Sequence, residues 1–456
     1  MTSLNAETSG SRPSAPVRIV HLGLGNFFRA HQAWYTEHAA DAADWGIAAF
    51  TGRRPDIADA LAPQDGRFTL ITKGPAGNGY EVISSVVAVH PASDHAAFLN
   101  YLRDPAVAVV TLTVTEFGYA RATDGHLDTD RVSGDIAALQ GSSEAAVASA
   151  PAKLVAGLLA RRAAGAGKIT IVSCDNVPEN GSAVRTVVLD LAALVDADLG
   201  TWIDSEVTFA TSMVDRITPA TTDEDVAAVR QAQGYIDAAP VPTEPFSEWV
   251  ISADFAAGAP DWGSAGAQIV DDVRPYEERK LWMLNGAHSL LAYAGSLLGH
   301  QTVDQAIGDE RCRAWVADWW DVAGPQLSLS PAEVDDSRTA LLDRWSNPSI
   351  GHLLAQIAND GSQKLRARTV PVLKTELGQG RCPAGAVRPV AAWTLHLRGR
   401  GAPVKDAGGE TVVRAAGGPI DEAVPRVIAL LDQELAGNAM VVEAVRAQVT
   451  ELEALS

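Results

Sequence analysis

The chain has few cysteines and no long apolar run. Its 456 residues contain only Cys174, Cys312 and Cys382, without a CxxC pair. Three isolated cysteines argue against a disulfide framework and against a zinc cluster, and they suit a reducing cytoplasm. No apolar run reaches the length of a membrane span. Residues 1–16 lack the apolar core of a signal peptide, so we expect a cytoplasmic protein with a loose N-terminal tail.

The motifs of several enzyme classes are also missing. The ten histidines form no HxxH or HExxH arrangement, so we expect no metal site. Because neither GxSxG nor a Walker A motif is present, hydrolase and phosphoryl-transfer activities have no support. The formal net charge is −20, and such a chain repels nucleic acid and anionic membranes. An anionic ligand must then be bound by local groups that act against the overall charge.

Segments that read as strands alternate with helical segments up to about residue 270, and mostly helical sequence follows. The strand-like segments are Val17–Leu22, Trp45–Gly52, VISSVVAVH, VAVVTLTVT, Lys168–Asn176 and Glu206–Asp215. Helical stretches such as 151–166 and 182–197 lie between them, which predicts a largely parallel, doubly wound sheet. We expect three parts: the tail 1–16, an α/β domain over 17–270, and a mostly α-helical domain over 271–456.

Two glycines follow the first strand directly and precede a helix. Gly23 and Gly25 let the backbone turn tightly and approach a pyrophosphate, which then lies at the helix N-terminus. The third glycine of the usual fingerprint is absent because Phe28 occupies its place. The turn favours a Rossmann-type dinucleotide-binding domain, and a simple tight βα turn is the alternative.

The residues after the second strand offer two ways to bind the ribose of a dinucleotide. Asp56 lies about where a ribose-binding carboxylate is expected. Arg53 and Arg54 lie nearby and leave room for a 2′-phosphate. These residues leave the choice between NAD and NADP open.

Polar residues follow two further strands, at Thr115-Glu116 and at Asp175-Asn176. The carboxyl ends of parallel strands face the ligand crevice in such sheets, which makes these residues candidates for binding. Asp175 is equally compatible with an ordinary Asx turn. Asn176 is of interest beside Asn285, because two amide donors aimed at one oxygen stabilise a developing alkoxide.

The segment Tyr276–His288, YEERKLWMLNGAH, places several polar residues on one short and otherwise apolar element. On an α-helix with Lys280 at zero, Glu277 lies about 60° away, His288 about 80° and Asn285 about 140°. A lysine in apolar surroundings loses its proton more easily, as a general base requires. The alternative is a half-exposed helix with a solvated lysine and a hydrogen-bonded histidine.

Tyr276 and Lys280 have the spacing of the Tyr/Lys pair of short-chain dehydrogenases. In that family the pair follows the glycine motif much sooner, within a single-domain sheet. Most of a large domain intervenes here. We therefore do not expect Tyr276 to carry out acid/base chemistry.

Taken together, these landmarks resemble the polyol-specific long-chain dehydrogenases. The motifs occur in the family's order and spacing over nearly the whole chain. They are HLGLGNFFRAHQAWYT, TLTVTEFGY, SCDNVPENG, SMVDRITPATT, EPFSEWVI, YEERKLWMLNGAHSLLAY, RWSNPSI and NDGSQKL. The resemblance implies an N-terminal Rossmann-type domain, a mostly helical C-terminal domain and a metal-independent mechanism. One departure lies in the glycine loop, where many members have His at the position of Phe28.

The resemblance also implies a set of site residues. Lys280 matches the general acid/base, and Glu277 matches a glutamate that relays its proton to solvent. Asn176 and Asn285 match the asparagines that stabilise the oxyanion, and His288 matches a contact to a substrate hydroxyl. Further candidates are Gly23, Gly25, Asn26, Phe27, Arg29, Asp56, Thr115 and Glu116 for the cofactor, and Asp215, Gln356 and Lys364 for the substrate.

Within the family, the segment that binds the distal end of the substrate favours a sugar acid. Polyol dehydrogenases tend to have Arg where Gln356 stands, and Gln356 with DGSQK is similar to the fructuronate reductases. Lys364 is then a candidate contact for the distal end of the substrate. The resemblance thus implies an enzyme that interconverts D-mannonate and D-fructuronate with NAD, without a nucleic-acid or membrane partner.

Two alternatives stay open at this point. Within the family, the alternative is a mannitol 2-dehydrogenase or an arabinitol 4-dehydrogenase. Outside enzymes, it is an NAD(H)-binding sensor without turnover, although the acidity of the chain weighs against one. NADP also stays open as the cofactor, and the oligomeric state is not determined, a monomer being compatible with the family.

Overall fold

The computed structural model describes residues 2–10, 13–52 and 54–455 of the chain. Its internal contacts divide the protein into unit 1, Met1–Arg274, and unit 2, Pro275–Ser456. The division lies close to the boundary predicted at 270/271. Each unit has hydrophobic core clusters of its own, two in unit 1 and one in unit 2.

Unit 1 is built on a mainly parallel sheet. Its strands are β1 (Val17–Leu22), β2 (Gly46–Phe50), β3 (Phe68–Gly74), β4 (Gly77–Ile83), β5 (Val86–His90), β6 (Val109–Leu112), β7 (Ile169–Ser173), β8 (Val207–Asp215), β9 (Val241–Thr243), β10 (Glu248–Ser252) and β11 (Gln268–Ile269). Within the described residues, eight of them form one sheet in the order β5-β2-β1-β6-β7-β8-β10-β11. Neighbours from β5 to β8 are parallel, and β10 runs antiparallel to β8. A smaller sheet has the order β4-β3-β9.

The order of the six parallel strands is that of a Rossmann sheet. Their sequences fit burial on both faces. In β2 (GIAAF) and β7 (ITIVS) nearly all residues are apolar or β-branched, and every residue is buried. Strand order reverses between β1 and β6, and ligands of such sheets bind in the crevice at this point. The predicted Rossmann-type fold of the N-terminal part is confirmed.

Helices pack on both faces of this sheet. They are α1 (Asn26–Ala30), α2 (Gln32–His38), α3 (Asp56–Leu61), α4 (His95–Arg103), α5 (Ser133–Gly141), α6 (Ala150–Ala164), α7 (Asn180–Val195), α8 (Leu199–Glu206) and α9 (Asp223–Gln233), with 3₁₀ turns at Ala42–Asp44, Ala62–Gln64, Glu116–Tyr119 and Trp262–Ala265. Alternate residues of one strand enter the two cores: Val20 of β1 packs with α4 and α6, whereas Ile19 packs with α1 and α2. This alternation is the period of a strand buried on both faces.

Part of the tail, which we expected to be loose, makes ordered contacts with unit 1. Ser3 pairs with Ile236 in a parallel bridge, and the Leu4 amide donates to the Ile236 carbonyl at 2.9 Å. The Leu4 side chain is fully buried. Removing the apolar Leu4 side chain from water is favourable, and Leu4 therefore anchors this otherwise polar segment to the rest of unit 1.

The regular structure of unit 2 is helical within the described residues, apart from one isolated β-bridge between Thr302 and Leu353. After α10 (Arg274–Arg279), which starts at the last residue of unit 1, the helices are α11 (Ala287–Leu290), α12 (Val303–Gly308), α13 (Glu310–Ala323), α14 (Pro331–Trp345), α15 (Leu354–Ile357), α16 (Gly361–Arg368), α17 (Val370–Gly378), α18 (Ala384–Leu397), α19 (Gly409–Ala415), α20 (Ile420–Leu431), α21 (Gln433–Ala436) and α22 (Ala439–Leu455). Lys280–Gly286 and Leu291–Gly295 are π-helical, and Gly324–Gln326 is a 3₁₀ turn. Helix α18 is buried along nearly its whole length and is the centre of the core. The predicted mostly helical C-terminal part is confirmed.

The NDGSQKL motif is held in place by close packing at the start of α16. Asp360 has a left-handed backbone with φ of 56°, and its carboxylate accepts the Ala407 amide at 2.9 Å. At Gly361 a Cβ atom would overlap Trp393 Nε1 and lie 2.5 Å from the Tyr293 hydroxyl. Only glycine therefore lets α16 start against these two rings.

We expect Gly361→Ala to lower the free energy of unfolding by about 1–3 kcal/mol, because two rigid rings would have to move. Chemical denaturation measures the effect. The matched control is Gly378→Ala at the end of α17, where a new Cβ meets nothing within 4 Å. That change should be neutral or slightly stabilising. Equal stability of the two variants would contradict the packing argument.

Candidate active site

The glycine turn is fixed between the ends of two strands. Gly23 has φ of 113°, and a Cβ there would overlap the Thr113 carbonyl at the end of β6. The amides of Gly23 and Leu24 donate to the Phe50 carbonyl of β2 at 3.0 and 2.9 Å. The Thr113 hydroxyl donates to the Gly23 carbonyl at 2.9 Å. Gly25, by contrast, has an extended backbone and precedes α1. The turn thus lies at the switch point of the sheet and requires glycine at position 23.

Phe28, which replaces the third glycine, packs the helix on the sheet through its ring. It stacks on His21 of β1 with ring centroids 3.5 Å apart and an interplanar angle of 10°. The two nitrogens of His21 bond the hydroxyls of Thr111 and Thr113. Burial lowers the pKa of His21 to about 3, so this histidine is neutral. A stacked aromatic pair here replaces the close helix–strand approach that a glycine provides elsewhere.

Three residues predicted to bind the cofactor support the turn from the protein side. Arg29 is buried, and its guanidinium donates to the Gly25 carbonyl at 3.3 Å, to Asn26 Oδ1 at 2.7 Å and to the Ala239 carbonyl. Asn26 Nδ2 in turn donates to Thr221 Oγ1 at 3.2 Å. Phe27 stacks on His31 at 5.0 Å. None of the three lines the cleft beside the turn, and their role in cofactor binding stays a prediction.

That cleft has a volume of about 850 Å³ and is lined by Gly23, the ends of β2 and β6 and the start of α6. Its size is that of a pocket for a cofactor or a small ligand. Phe117 lines it with 62% of its surface exposed, and the Arg131 guanidinium lies over this ring at 3.9 Å. Lys153 lines it from α6. No sequence pattern pointed to Arg131 or Lys153, and Phe117 lay within the TLTVTEFGY motif without being singled out.

Thr115 lines the cleft in a strained conformation. Its φ of 69° and ψ of 160° fall in a region that glycine alone adopts readily. The Asp175 carboxylate, at the end of β7, accepts the amides of Val114 at 3.0 Å and Thr115 at 2.8 Å, and the Tyr119 hydroxyl at 2.5 Å. Burial raises the pKa of Asp175. The alternative of a plain Asx turn is therefore set aside, because Asp175 holds the neighbouring loop.

The other predicted residues of unit 1 lie at or near strand ends. Asn176 follows Asp175 in the turn after β7 and is exposed, and Asp215 is the buried last residue of β8. Glu116 is exposed and does not line the cleft. Asp56 begins α3, is exposed and does not line the cleft either. Arg53 lies outside the described residues. Arg54 does line the cleft.

In unit 2, the segment that carries Lys280 is π-helical and not α-helical as the angular analysis assumed. The Trp319 indole donates to the Trp282 carbonyl at 2.7 Å, and the Trp320 indole donates to the Met283 carbonyl at 2.8 Å. A Cβ on Gly286 would lie 2.6 Å from the Trp319 ring. Side-chain donors from another helix thus bond two carbonyls of this segment, close to a glycine. Such insertion into the helix hydrogen-bond pattern is a known cause of departure from α-helical geometry.

The π-helical turn changes which residues share a face. Lys280 and Asn285 are the first and sixth residues of the segment, and hydrogen bonds in a π-helix join residues five apart. Residues at this spacing lie above one another, as residues four apart do in an α-helix. The expected angle of about 140° between Lys280 and Asn285 is therefore wrong. Both side chains are half-buried, as is Glu277 on α10.

His288, one turn further along, is buried among basic groups. Its Nε2 atom is buried and has no hydrogen-bond partner within the described part of the chain. Burial lowers the pKa of His288 well below its usual value, so the ring is neutral. Four neighbours lower it further: His352, whose own pKa burial lowers to about 4, and three cations that we call the cationic cluster, Arg344, Lys364 and Arg368. A buried polar atom without a partner beside such a cluster is typical of a site that binds a polar, anionic ligand.

Two members of the cationic cluster lie on α16. Lys364 Nζ donates to the Ile357 carbonyl at 3.0 Å, and burial followed by the charge of Arg368 lowers its pKa to about 8. Arg368 donates to the Asn285 carbonyl at 3.1 Å and to Ser289 Oγ at 2.9 Å. Arg368 thus connects the cluster to the π-helical segment, a role that the sequence analysis missed. Gln356 is exposed on α15.

Among the described residues, no three or more His, Cys, Asp or Glu side chains are grouped so that they could hold a metal ion. Nor does any described helix have both the length and the apolarity needed to cross a membrane.

Comparison with known proteins identifies the family. Residues 17–264 match the mannitol dehydrogenase Rossmann domain, and residues 272–453 match the mannitol dehydrogenase C-terminal domain. The chain belongs to the mannitol dehydrogenase family. It is therefore an oxidoreductase of a family of dehydrogenases that act on sugar alcohols or sugar acids, and the resemblance drawn from the motifs is confirmed.

Three similar proteins show the range of this family. D-mannonate oxidoreductase of Escherichia coli (strain K12) is 39% identical over 394 residues, which cover 84% of this chain and 80% of that protein. D-arabinitol 4-dehydrogenase of Ralstonia nicotianae is 37% identical, with 98% of each chain covered. The Pseudomonas fluorescens mannitol 2-dehydrogenase, solved with NAD and D-mannitol, has a TM-score of 0.84 and 31% identity, with 99% and 97% covered.

We expect Trp319→Phe to lower kcat about tenfold or more, because it removes the donor that bonds the Trp282 carbonyl beneath Lys280 and Asn285. Small displacements of positioned groups cost up to about 10²-fold in rate. The loss in stability should be only about 1 kcal/mol. Turnover is measured with the best substrate among mannonate, mannitol and arabinitol. Trp315→Phe on the same helix is the matched control. Equal kcat in both variants would contradict the positioning role.

Proposed function

We propose that the protein is a D-mannonate oxidoreductase, which interconverts D-mannonate and D-fructuronate with a nicotinamide cofactor. The observation that carries this proposal is the cationic cluster around His288. A neutral polyol offers no charge to half-buried cations such as Lys364 and Arg368, whose hydrogen bonds among the described residues go to neutral oxygens. A carboxylate forms charge-assisted hydrogen bonds with them. In a chain of net charge −20, local basic groups are also what an anionic substrate requires.

Within the cluster, Lys364 and Arg368 are the residues that we assign to the carboxylate. The only bond of Lys364 Nζ among the described contacts is to the Ile357 carbonyl, and an ammonium group has three donors. Arg368 joins the same group to the backbone of Asn285. Arg368 would thus connect the carboxylate of the substrate to Asn285, which we assign to the reacting oxygen. A relative of this chain is named D-mannonate oxidoreductase, which supports the choice.

The cofactor that we propose is a nicotinamide dinucleotide, bound by unit 1. The residues that fit it are the Gly23 turn, where a side chain would overlap the sheet, and the cleft beside this turn. NAD is the expected dinucleotide, and it is bound in the Pseudomonas fluorescens neighbour. When bound, the nicotinamide gives or takes the hydride of the reaction.

The chain's own residues handle the proton and the oxygen. In the direction of reduction, protonated Lys280 gives its proton to the substrate oxygen as the carbonyl carbon gains hydride. In oxidation, neutral Lys280 takes the hydroxyl proton. Asn285, and Asn176 on the basis of the resemblance, donate hydrogen bonds to this oxygen. Removal of one such donor typically costs about 10²–10³ in rate. Neutral His288 bonds a substrate hydroxyl through Nε2, and Glu277 exchanges the proton of Lys280 with solvent.

We expect Lys280→Ala to lower kcat about 10²–10⁴-fold and to flatten the pH–rate profile, because the titrating acid/base is removed. The measurement is kcat against pH with fructuronate and reduced cofactor. Tyr276→Phe is the matched control, since it removes the hydroxyl of the decoy pair and should keep the wild-type profile. A wild-type pH profile in Lys280→Ala would exclude Lys280 as the acid/base.

The pKa of Lys364 gives a pH dependence with a definite sign. Below about pH 8 Lys364 carries a positive charge, and above it the charge is lost. The KM for mannonate should therefore rise as the pH increases through about 8, because the attraction to the carboxylate disappears. Lys364→Met should raise this KM about tenfold or more at pH 7 and remove the dependence.

The control for this experiment is Lys374→Met, which removes an exposed lysine whose surface pairs with Asp432 and Glu434 contribute little. It should leave the KM for mannonate unchanged. Turnover of mannitol or arabinitol in preference to mannonate and fructuronate would refute the sugar-acid assignment and favour the polyol branch of the family.

A further inference from the structure

Two aromatic rings of unit 2 contact the ring of His288. The Trp345 ring lies with its centroid 5.0 Å away at an interplanar angle of 34°, and the His352 ring meets His288 edge-on at 5.3 Å and 89°. Trp345 is buried and stacks in turn on Trp320, whose indole bonds the Met283 carbonyl. His352, by contrast, is only half-buried. Trp345 therefore supports His288 from the core, whereas part of the His352 ring stays open to a ligand.

His352 lies in the connection between α14 and α15, and backbone hydrogen bonds fix this connection. The His352 carbonyl accepts the Val303 amide at 3.0 Å. The next residue, Leu353, pairs with Thr302 in an antiparallel bridge. A side chain on a fixed backbone keeps its geometry well enough to select among substrates.

The His352 ring has an unused hydrogen-bonding atom. Its Nδ1 atom is buried and, like Nε2 of His288, has no hydrogen-bond partner in the part of the chain that the structure describes. Burial, followed by the charges of Arg344 and Lys364, lowers the pKa of His352 to about 4, so the ring is neutral. A neutral imidazole has one donor and one acceptor and suits a hydroxyl, whereas a carboxylate only accepts. The groups around His288 therefore divide into cations that suit a carboxylate and a neutral ring that suits a hydroxyl.

We propose that His352 binds the middle one of the three hydroxyls between the carbonyl carbon and the carboxylate of the sugar acid, and that it selects between epimers at this position. This assignment rests on the proposed function, in which Asn285 bonds the reacting oxygen and Lys364 and Arg368 bond the carboxylate. His288 follows Asn285 by three residues and serves a hydroxyl near the reacting end. His352 contacts His288 and also senses the charge of Lys364, which puts it beside the middle of the substrate chain.

The test compares two substrates that differ only at this hydroxyl. D-fructuronate and D-tagaturonate are epimers there, so the ratio of their kcat/KM values measures the selection. The wild-type protein should favour D-fructuronate about tenfold or more. His352→Phe keeps an aromatic ring beside His288 but cannot bond a hydroxyl, and it should lower the ratio about fivefold or more by slowing the favoured epimer. The matched control is His126→Phe, which removes an exposed histidine of unit 1 that pairs with Asp190 and should leave the ratio unchanged.

A second variant separates the hydrogen bond from the packing of the ring. The amide of His352→Gln donates and accepts as a neutral imidazole does, so this variant should retain more of the wild-type ratio than His352→Phe. It also provides the reading if the phenylalanine variant does not fold, which thermal unfolding shows beforehand.

Equal turnover of the two epimers by the wild-type protein would overturn the role of His352. So would His352 variants that slow both epimers equally, because a purely structural role does not change the ratio. A wild-type preference for D-tagaturonate that His352→Phe removes would support the role of His352 and refute D-fructuronate as the substrate. Turnover of neither sugar acid would refute the proposed function and this assignment together.

Discussion

The π-helical segment Lys280–Gly286 depends on two hydrogen bonds that indole N–H groups donate to its backbone. In an ordinary α-helix the carbonyls of Trp282 and Met283 would be satisfied within the helix alone. Here Trp319 and Trp320 donate to them from α13, and Gly286 leaves room for the first ring. The resulting π-helical turn gives Lys280 and Asn285 the spacing at which residues share a face. An uncommon backbone form is thus maintained by packing in the segment that carries both Lys280 and Asn285.

The basic groups around His288 are connected to the same π-helical segment. His288 stays neutral because it is buried, and the basic groups around it reinforce this state. Arg368 bonds the Asn285 carbonyl, so the charge of the cluster and the geometry of the π-helical segment are not independent. Burial lowers the pKa of Lys364 to about 8, close enough to neutrality for an anionic ligand to change its protonation. Lys364 and Arg368 thus make this part of unit 2 locally positive in a strongly acidic protein, as the proposed anionic substrate requires.

Sequence reasoning succeeded where a single local rule decides the structure. The Gly23 turn, the parallel strands and the change to helices near residue 270 were all predicted, because periodicity and glycine placement are local properties. It failed where a distant residue overrides the local preference. The angle between Lys280 and Asn285 was wrong because the donors lie on α13, some forty residues later. The contact of the Arg29 guanidinium with the Ala239 carbonyl was likewise not predictable, because the two residues lie far apart in the sequence. No local pattern carries such information.

The strained backbone of Thr115 shows how the motifs of unit 1 act as one network. A β-branched residue keeps a glycine-like conformation only when its surroundings determine it fully. The Asp175 carboxylate does so by accepting two successive amides of this loop. Asn180, five residues later, bonds the Asp175 carbonyl and both backbone groups of Ser212 on β8. The TLTVTEFGY and SCDNVPENG motifs are therefore coupled, since the second holds the first in its strained form. Asn176 lies between Asp175 and Asn180 on this rigid turn, which is the kind of support that a positioned hydrogen-bond donor requires.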